Sequence, residues 1–324
     1  MPFRQITVSG FPAIALRAGE VEVVAIPSLG LKLSHLRRGG GREWLWRNEQ
    51  IPYATPTAGA SYVETADSGG WDECFPTVGP SPVPGAPGAA PLPDHGELWS
   101  APWESSVYER NGAVTLSGRV RAARFPCELV REVSLDPDAP VVRFRYSLRH
   151  RGVERFPWIW SPHPLLNVQP GSLLELPGVT QARIDVAHGR PDIEPDDVLS
   201  WPGAVGGSAD RFEFPGMTGK GWAVKLFADS ASNRAAVLTD PRRGERLEFR
   251  VDRSTVPQIG IWINCGGWAP AGKSPYYNLA VEPCIGAPDR LDRAVAWGLA
   301  QSLHPGETRT WTLEVWLLEE GEAG

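Results

Sequence analysis

Three residues far apart in the chain have the types needed for acid–base chemistry: His95, His163 and Glu282. His95 stands in Pro93-Asp94-His95-Gly96-Glu97-Leu98-Trp99, after Gly69-Gly70-Trp71-Asp72-Glu73-Cys74-Phe75-Pro76 and a proline-laden crossing. Prolines fix a backbone without a ladder of hydrogen bonds, so Gly69 to Trp103 reads as a site built on a loop. His163 is held between two prolines in Trp160-Ser161-Pro162-His163-Pro164-Leu165-Leu166-Asn167, which keeps its imidazole in a defined place at an expected strand end. Glu282 follows the apolar run Leu279-Ala280-Val281 and is succeeded at once by turn residues. With Leu279 and Val281 inward, Ala280 and Glu282 face the other way, or Glu282 takes the strand's last position beside a loop. Two imidazoles and a carboxylate can share general acid and base work, or hold zinc. Taken singly, each also reads as an ordinary turn or surface residue.

One motif match is misleading. Gly267-Trp268-Ala269-Pro270-Ala271-Gly272-Lys273-Ser274 satisfies the phosphate-loop pattern. A phosphate loop must open a helix whose N-terminal amides hold the phosphates, whereas Pro275-Tyr276-Tyr277 here leads into a strand-like run. Neither a Gly-x-Ser-x-Gly elbow nor His-Glu-x-x-His is present. The net charge of −6 argues against nucleic acid as a partner, because that binding rests on neutralising phosphates. Met1 to Val8 has no apolar signal core and no apolar run is long enough to cross a bilayer, which suggests a cytoplasmic protein with no membrane partner. Cys74, Cys127, Cys265 and Cys284 are widely spaced and suggest reduced packing residues, not a zinc ribbon or a disulfide framework.

The elements that must position these residues are strands. Gly and Pro, 35 and 32 of them, leave little room for long helices, and no amphipathic helix of three turns stands out. Val141 to Arg149 alternates, with Phe144, Tyr146 and Leu148 on one face and arginines on the other; Trp311 to Leu317 does the same. Asn111-Gly112, between two strand-like runs, specifies a tight hairpin. Further strands are predicted at Val21 to Ile26, Arg42 to Trp46, Cys127 to Leu135, Trp222 to Phe227, Ala235 to Leu238, Arg246 to Val251, Gln258 to Asn264 and Tyr277 to Val281. No repeat, charge block or interdomain linker divides the chain, so residues 1–324 are expected to form a single all-β domain. Two antiparallel sheets packed face to face are preferred over a closed barrel.

The order of motifs resembles that of the galactose mutarotase-like, or aldose 1-epimerase, superfamily. Gly69 to Pro76 followed by Pro93-Asp94-His95-Gly96 looks like the segment bearing the family's first histidine. His163-Pro164-Leu165-Leu166-Asn167 is similar to its second histidine with a downstream asparagine, and Glu282-Pro283 to its carboxylate motif. Ile261-Trp262-Ile263-Asn264 and Pro305-Gly306-Glu307 are weaker likenesses. The resemblance implies a β-supersandwich and an isomerase that interconverts the α and β anomers of a free sugar without metal or organic cofactor. It makes Glu282 the base on the anomeric hydroxyl, His163 the acid at the ring oxygen and His95 a second polar contact. Opening a hemiacetal needs one group to take the O1 proton while another protonates O5, and a close Glu282–His163 pair is expected to favour the ionised carboxylate and the imidazolium together.

The sequence departs from the sugar mutarotases in one place, since their arginine upstream of the first histidine has no clear counterpart near Ser61 to Trp71. Asp72 and Glu73 occupy the stretch where the branch acting on hexose 6-phosphates carries basic residues, and two acids would repel a phosphate, which points to an uncharged sugar. The expected substrate contacts are Trp71, Asp72, Glu73, Asn167, Trp262 and Asn264, with Trp99 and Trp268 as further stacking platforms and Asp240 as a possible extra acid. His35, His150, His188 and His304 receive no role. A carbohydrate-binding protein that keeps the cleft without turnover, and a zinc site made from His95, His163 and Glu282, are the other readings.

Overall fold

A computed structural model describes residues 2–57, 59–208, 210–216 and 221–322. Two large sheets, of eleven and nine strands with consistently antiparallel ladders, face one another across a continuous apolar core that runs from Leu16 to Leu317. This is the expected sandwich rather than a barrel. Strands alternate cleanly where one face meets the core: in Val141–His150, Val142, Phe144, Tyr146 and Leu148 are buried and packed, while Arg145 and Arg149 are exposed. The hairpin of Glu104–Arg110 and Ala113–Arg121 turns on Asn111 and Gly112 with φ of 52° and 80°, the two positive values its tight turn demands. Among the described residues no helix is long and apolar enough to cross a membrane, and the longest, Leu291–Ala296, is short of two turns.

Six neighbouring strands of the eleven-stranded sheet carry the features of functional interest, in the order Trp71–Cys74, Ser161–Leu166, Tyr277–Cys284, Gln258–Cys265, Trp222–Asp229 and Gln181–His188. Trp71–Cys74 is a strand that the sequence reads as loop, and Ser161–Leu166 is a whole strand where the sequence places only a strand end at His163. Pro162 and Pro164 fit inside a strand because Ser161 to Pro164 pairs only with Trp71–Cys74, and the ladder to Tyr277–Cys284 begins at Leu165. Proline's missing donor therefore falls on an unpaired side. The predicted strand at Arg42 to Trp46 is instead an irregular segment, tied by separate bonds from Trp44 N–H to Leu36 and from Trp46 N–H to Leu165. The phosphate-loop match opens no helix; Tyr277–Cys284 follows it as a strand.

Between the sheets lies a polar contact inside the apolar core. Glu73 accepts from Arg131 at 2.6 Å, from Trp160 Nε1 at 2.8 Å and from the Tyr146 hydroxyl at 3.0 Å, with both charged side chains fully buried. Removing one member of such a pair leaves a buried charge without its partner. Arg131→Met should destabilise the fold by about 3–5 kcal/mol in denaturant titration; a midpoint indistinguishable from the parent protein's would show that Glu73 is satisfied without the arginine.

Candidate active site

Alternation sorts the six strands' side chains onto two faces. Val224, Leu226, Ile261, Ile263, Leu279 and Val281 enter the core, while Lys225, Trp262 and Glu282 face the other way. On that second face is a cavity of about 240 Å³, whose wall includes His95, His163, Lys225, Trp262, Glu282 and Asp289. Drug-sized pockets run to roughly 300–1,000 Å³, so this hollow suits a ligand on the scale of one sugar ring. His95 arrives on its loop through two constrained positions, at φ of 58° and 72° for His95 and Gly96. A Cβ at residue 96 would stand 2.1 Å from the Phe75 carbonyl oxygen, so only glycine lets the loop lie against the sheet there. The His95 ring stacks on Tyr62 at 4.0 Å and meets the His163 ring edge-on at 4.8 Å.

Glu282 is saturated by protein partners. Oε1 lies 3.1 Å from His163 Nδ1, while Oε2 accepts from Ser161 Oγ at 3.2 Å and from Lys225 Nζ. Lys225 Nζ also stands 3.4 Å from Asp289 Oδ1, so one buried ammonium bridges two carboxyl groups. These neighbours set the protonation states. Burial by itself would push the Glu282 carboxyl up, but Lys225 and His163 overcome it and hold the carboxyl well below the usual carboxylate range. Burial pushes Asp289 up to about 7, with Lys225 opposing and the Glu282 and Asp185 charges adding to the rise. Burial lowers His163 in spite of Glu282, and His95 and Lys225 act in the same direction. His95 is different: burial opposes its charge, yet Asp94 at 2.8 Å raises it above the ordinary value, while Asp94 itself falls to about 2. The expected Glu282–His163 pair is thus half realised, since the carboxylate is favoured and the imidazolium is not. Lys225 already neutralises the carboxylate, so His163 gains too little to offset its burial.

No protein-family model matches the sequence, nor does any curated protein. Solved structures do match. The Slr1438 protein of Synechocystis sp. PCC 6803 is 18% identical with a TM-score of 0.70, over 97% of this chain and 99% of that one. A galactose mutarotase related enzyme of Lactobacillus acidophilus is 15% identical with a TM-score of 0.66, over 96% and 99%. A galactose mutarotase-like protein of Clostridium acetobutylicum is 14% identical with a TM-score of 0.65, over 98% of both chains. This chain has the galactose mutarotase-like fold.

On that fold, His95, His163, Glu282, Trp262 and Trp268 meet at one cavity, and the other expected contacts do not join them. Trp71 is buried in the core, stacked on Phe144 at 4.6 Å, because it falls on the inward face of its strand. Its neighbour Glu73 is likewise inward, on Arg131. Asp72 lies opposite His163 in register but is taken up by Lys32 and by the Tyr62 hydroxyl at 2.6 Å. Asn167 donates to the Glu43 and Leu45 carbonyls, and Asn264 closes the Gly267–Trp268 turn. Trp99 packs edge-on against Tyr62 and donates to the Asp94 carbonyl, which supports the His95 loop from behind. Asp240 binds Arg42 and Gln169 away from the cavity. The wall instead contains Lys225, Asp289, Asp67, Tyr276, Asn278 and His188, none of them chosen from sequence. Lys225 left a usable signal, a lysine between valine and leucine in a strand whose neighbours are apolar.

Since the Asp94 carboxylate is what sustains the His95 imidazolium, Asp94→Asn should lower the His95 pKa in an imidazole NMR titration. Depressed Asp94 contributes stability that is complete above its ordinary range and is lost as pH falls through about 2, so the variant should also unfold less steeply in acid. A His95 titration unmoved by the substitution would assign its charge to other groups.

Proposed function

We propose that the protein is an aldose 1-epimerase-like isomerase that interconverts the α and β anomers of an uncharged monosaccharide or a close derivative. The observation that carries this reading is the meeting of His95, His163 and Glu282, from three distant segments, around one small cavity. Ring opening transfers the O1 proton to a carboxylate as the C1–O1 bond gains double-bond character. The C1–O5 bond then breaks with its electron pair passing to O5, which takes a proton from an acid of the wall. After rotation about C1–C2, closure on the opposite face of C1 reverses both transfers. Glu282, kept ionised by Lys225 and His163, is the base; His163 stands 3.1 Å from it and His95 lies edge-on to His163 in the same wall.

The rest of the wall suits a sugar. Trp262 and Trp268 stand at right angles with ring centroids 5.7 Å apart, an apolar corner for C–H faces. Asp67 and Asn278 each bury an oxygen that has no hydrogen-bond partner among the described residues, and a hydroxyl would supply one. A phosphate is disfavoured because Lys225 is already neutralised and Asp67, Glu282 and Asp289 crowd the same wall. The ammonium beside Glu282 also opposes a zinc ion there. Four free buried thiols suit a reducing cytoplasm. Binding without turnover is the second reading, favoured by the complete engagement of both Glu282 oxygens.

Polarimetry and exchange NMR on a panel of aldoses decide between the two. Wild-type protein should accelerate anomer exchange, and Glu282→Gln should reduce kcat by about 10²–10⁴. Saturable sugar binding with no acceleration would make the protein a carbohydrate-binding module.

A further inference from the structure

Lys225 is buried between two carboxyl groups that are not equivalent. Glu282 is fully buried with both oxygens engaged, whereas the Asp289 side chain is 19% exposed in the same wall and its Oδ1 has, among the described residues, no hydrogen-bond partner beyond the 3.4 Å approach of Lys225. Asp289 is fixed by its backbone, since its carbonyl accepts from Val78 N–H and Gly79 N–H, each at 2.9 Å, on the segment that also receives the His95 N–H. The groups facing it are Lys225 and Glu282 from two strands, Asp185 from a third, His95 from the loop and Cys284 behind Glu282. Asp185 is itself paired with Arg293 at 2.7 Å, and neighbouring Arg290 is occupied by Asp292.

This arrangement limits which acid can serve the reaction. When Glu282 takes the O1 proton it loses its charge, and Lys225 is left as a buried ammonium that needs another counter-ion. If the proton for the ring oxygen came from His95, no new anion would form beside Lys225. If it comes from Asp289, the carboxylate appears where the ammonium requires one, and the charge around Lys225 is the same before and after the transfer. We propose, on the reading that the protein equilibrates anomers, that Asp289 is a catalytic acid of this cavity: it gives its proton to the ring oxygen as Glu282 accepts one from the anomeric hydroxyl, with Lys225 passing from the first carboxylate to the second. On closure the ring oxygen returns the proton to Asp289 and Glu282 returns the other to O1, so nothing is consumed. Carboxyl pairs whose surroundings drive their pKa values apart commonly divide acid and base roles in this way, and the rise of Asp289 to about 7 beside a depressed Glu282 agrees with the division.

The test is the pH profile of anomer exchange for wild type, Asp289→Asn, Asp289→Glu and His95→Asn, each checked for native thermal unfolding. Asp289→Asn should lower kcat by about 10²-fold or more with KM little changed, and should abolish the fall in rate on the alkaline side of neutrality. Asp289→Glu should restore part of both. In the free protein, the Asp289 carboxyl should titrate near neutrality by carbon-13 NMR. An active wild type with Asp289→Asn at full kcat and an unchanged alkaline limb, that limb vanishing in His95→Asn instead, would overturn this assignment and leave the isomerase reading intact. An Asp289 carboxyl titrating in the ordinary aspartate range would also overturn it. A wild-type protein that accelerates no aldose would remove both proposals together.

Discussion

A buried ammonium ion must have a counter-charge within reach, and in this protein that requirement organises the whole cavity. Lys225 stands on the outward face of Trp222–Asp229, opposite Trp262 in the adjoining strand, and Glu282 comes from the strand beyond that. The ion pair spans two ladder spacings. Because the ammonium compensates Glu282, the carboxylate stays ionised in a setting that would otherwise neutralise it. The same compensation removes the reason for His163 to hold a proton and leaves Asp289 with only a share of the positive charge. Lys225 thus bears on the protonation of three neighbouring groups, on top of what burial does to each.

The site is coupled to the core by the strand period. Consecutive residues in Trp71–Cys74 go to opposite faces: Glu73 turns inward to Arg131 and joins the two sheets, whereas Asp72 turns outward to Lys32 and Tyr62. Tyr62 then stacks on His95. Four residues of one strand therefore tie the interior to the ring that lines the cavity. The Gly96 position, closed to any side chain by the Phe75 carbonyl, fixes the same loop from the other side.

Resemblance to solved structures below one-fifth identity establishes the fold and leaves the chemistry to the residues. What the residues offer is a carboxylate neutralised by Lys225, two imidazoles of opposite protonation preference, a second carboxyl raised by burial and an indole corner. The proposed opening of a hemiacetal requires no more, since that reaction moves two protons and breaks one bond that re-forms.

The sequence alone determined the all-β architecture, the hairpin at Asn111-Gly112 and the core faces of strands such as Val141–His150, because one-sided burial writes a period of two directly into residue types. It also carried the three distant residues His95, His163 and Glu282, which their proline and glycine neighbours mark. It did not reveal Trp71–Cys74 as a strand and marked only a strand end at His163 within Ser161–Leu166: both are buried on each face, so polar, aromatic and proline residues replace alternation. For the same reason Trp71, Asp72 and Glu73 looked like ligand contacts when their partners were Phe144, Lys32 and Arg131. Lys225 and Asp289 became part of the site only through tertiary structure, because what a buried charge does depends on which opposite charge the sheet order brings to it, and sheet order is not a local property of the chain.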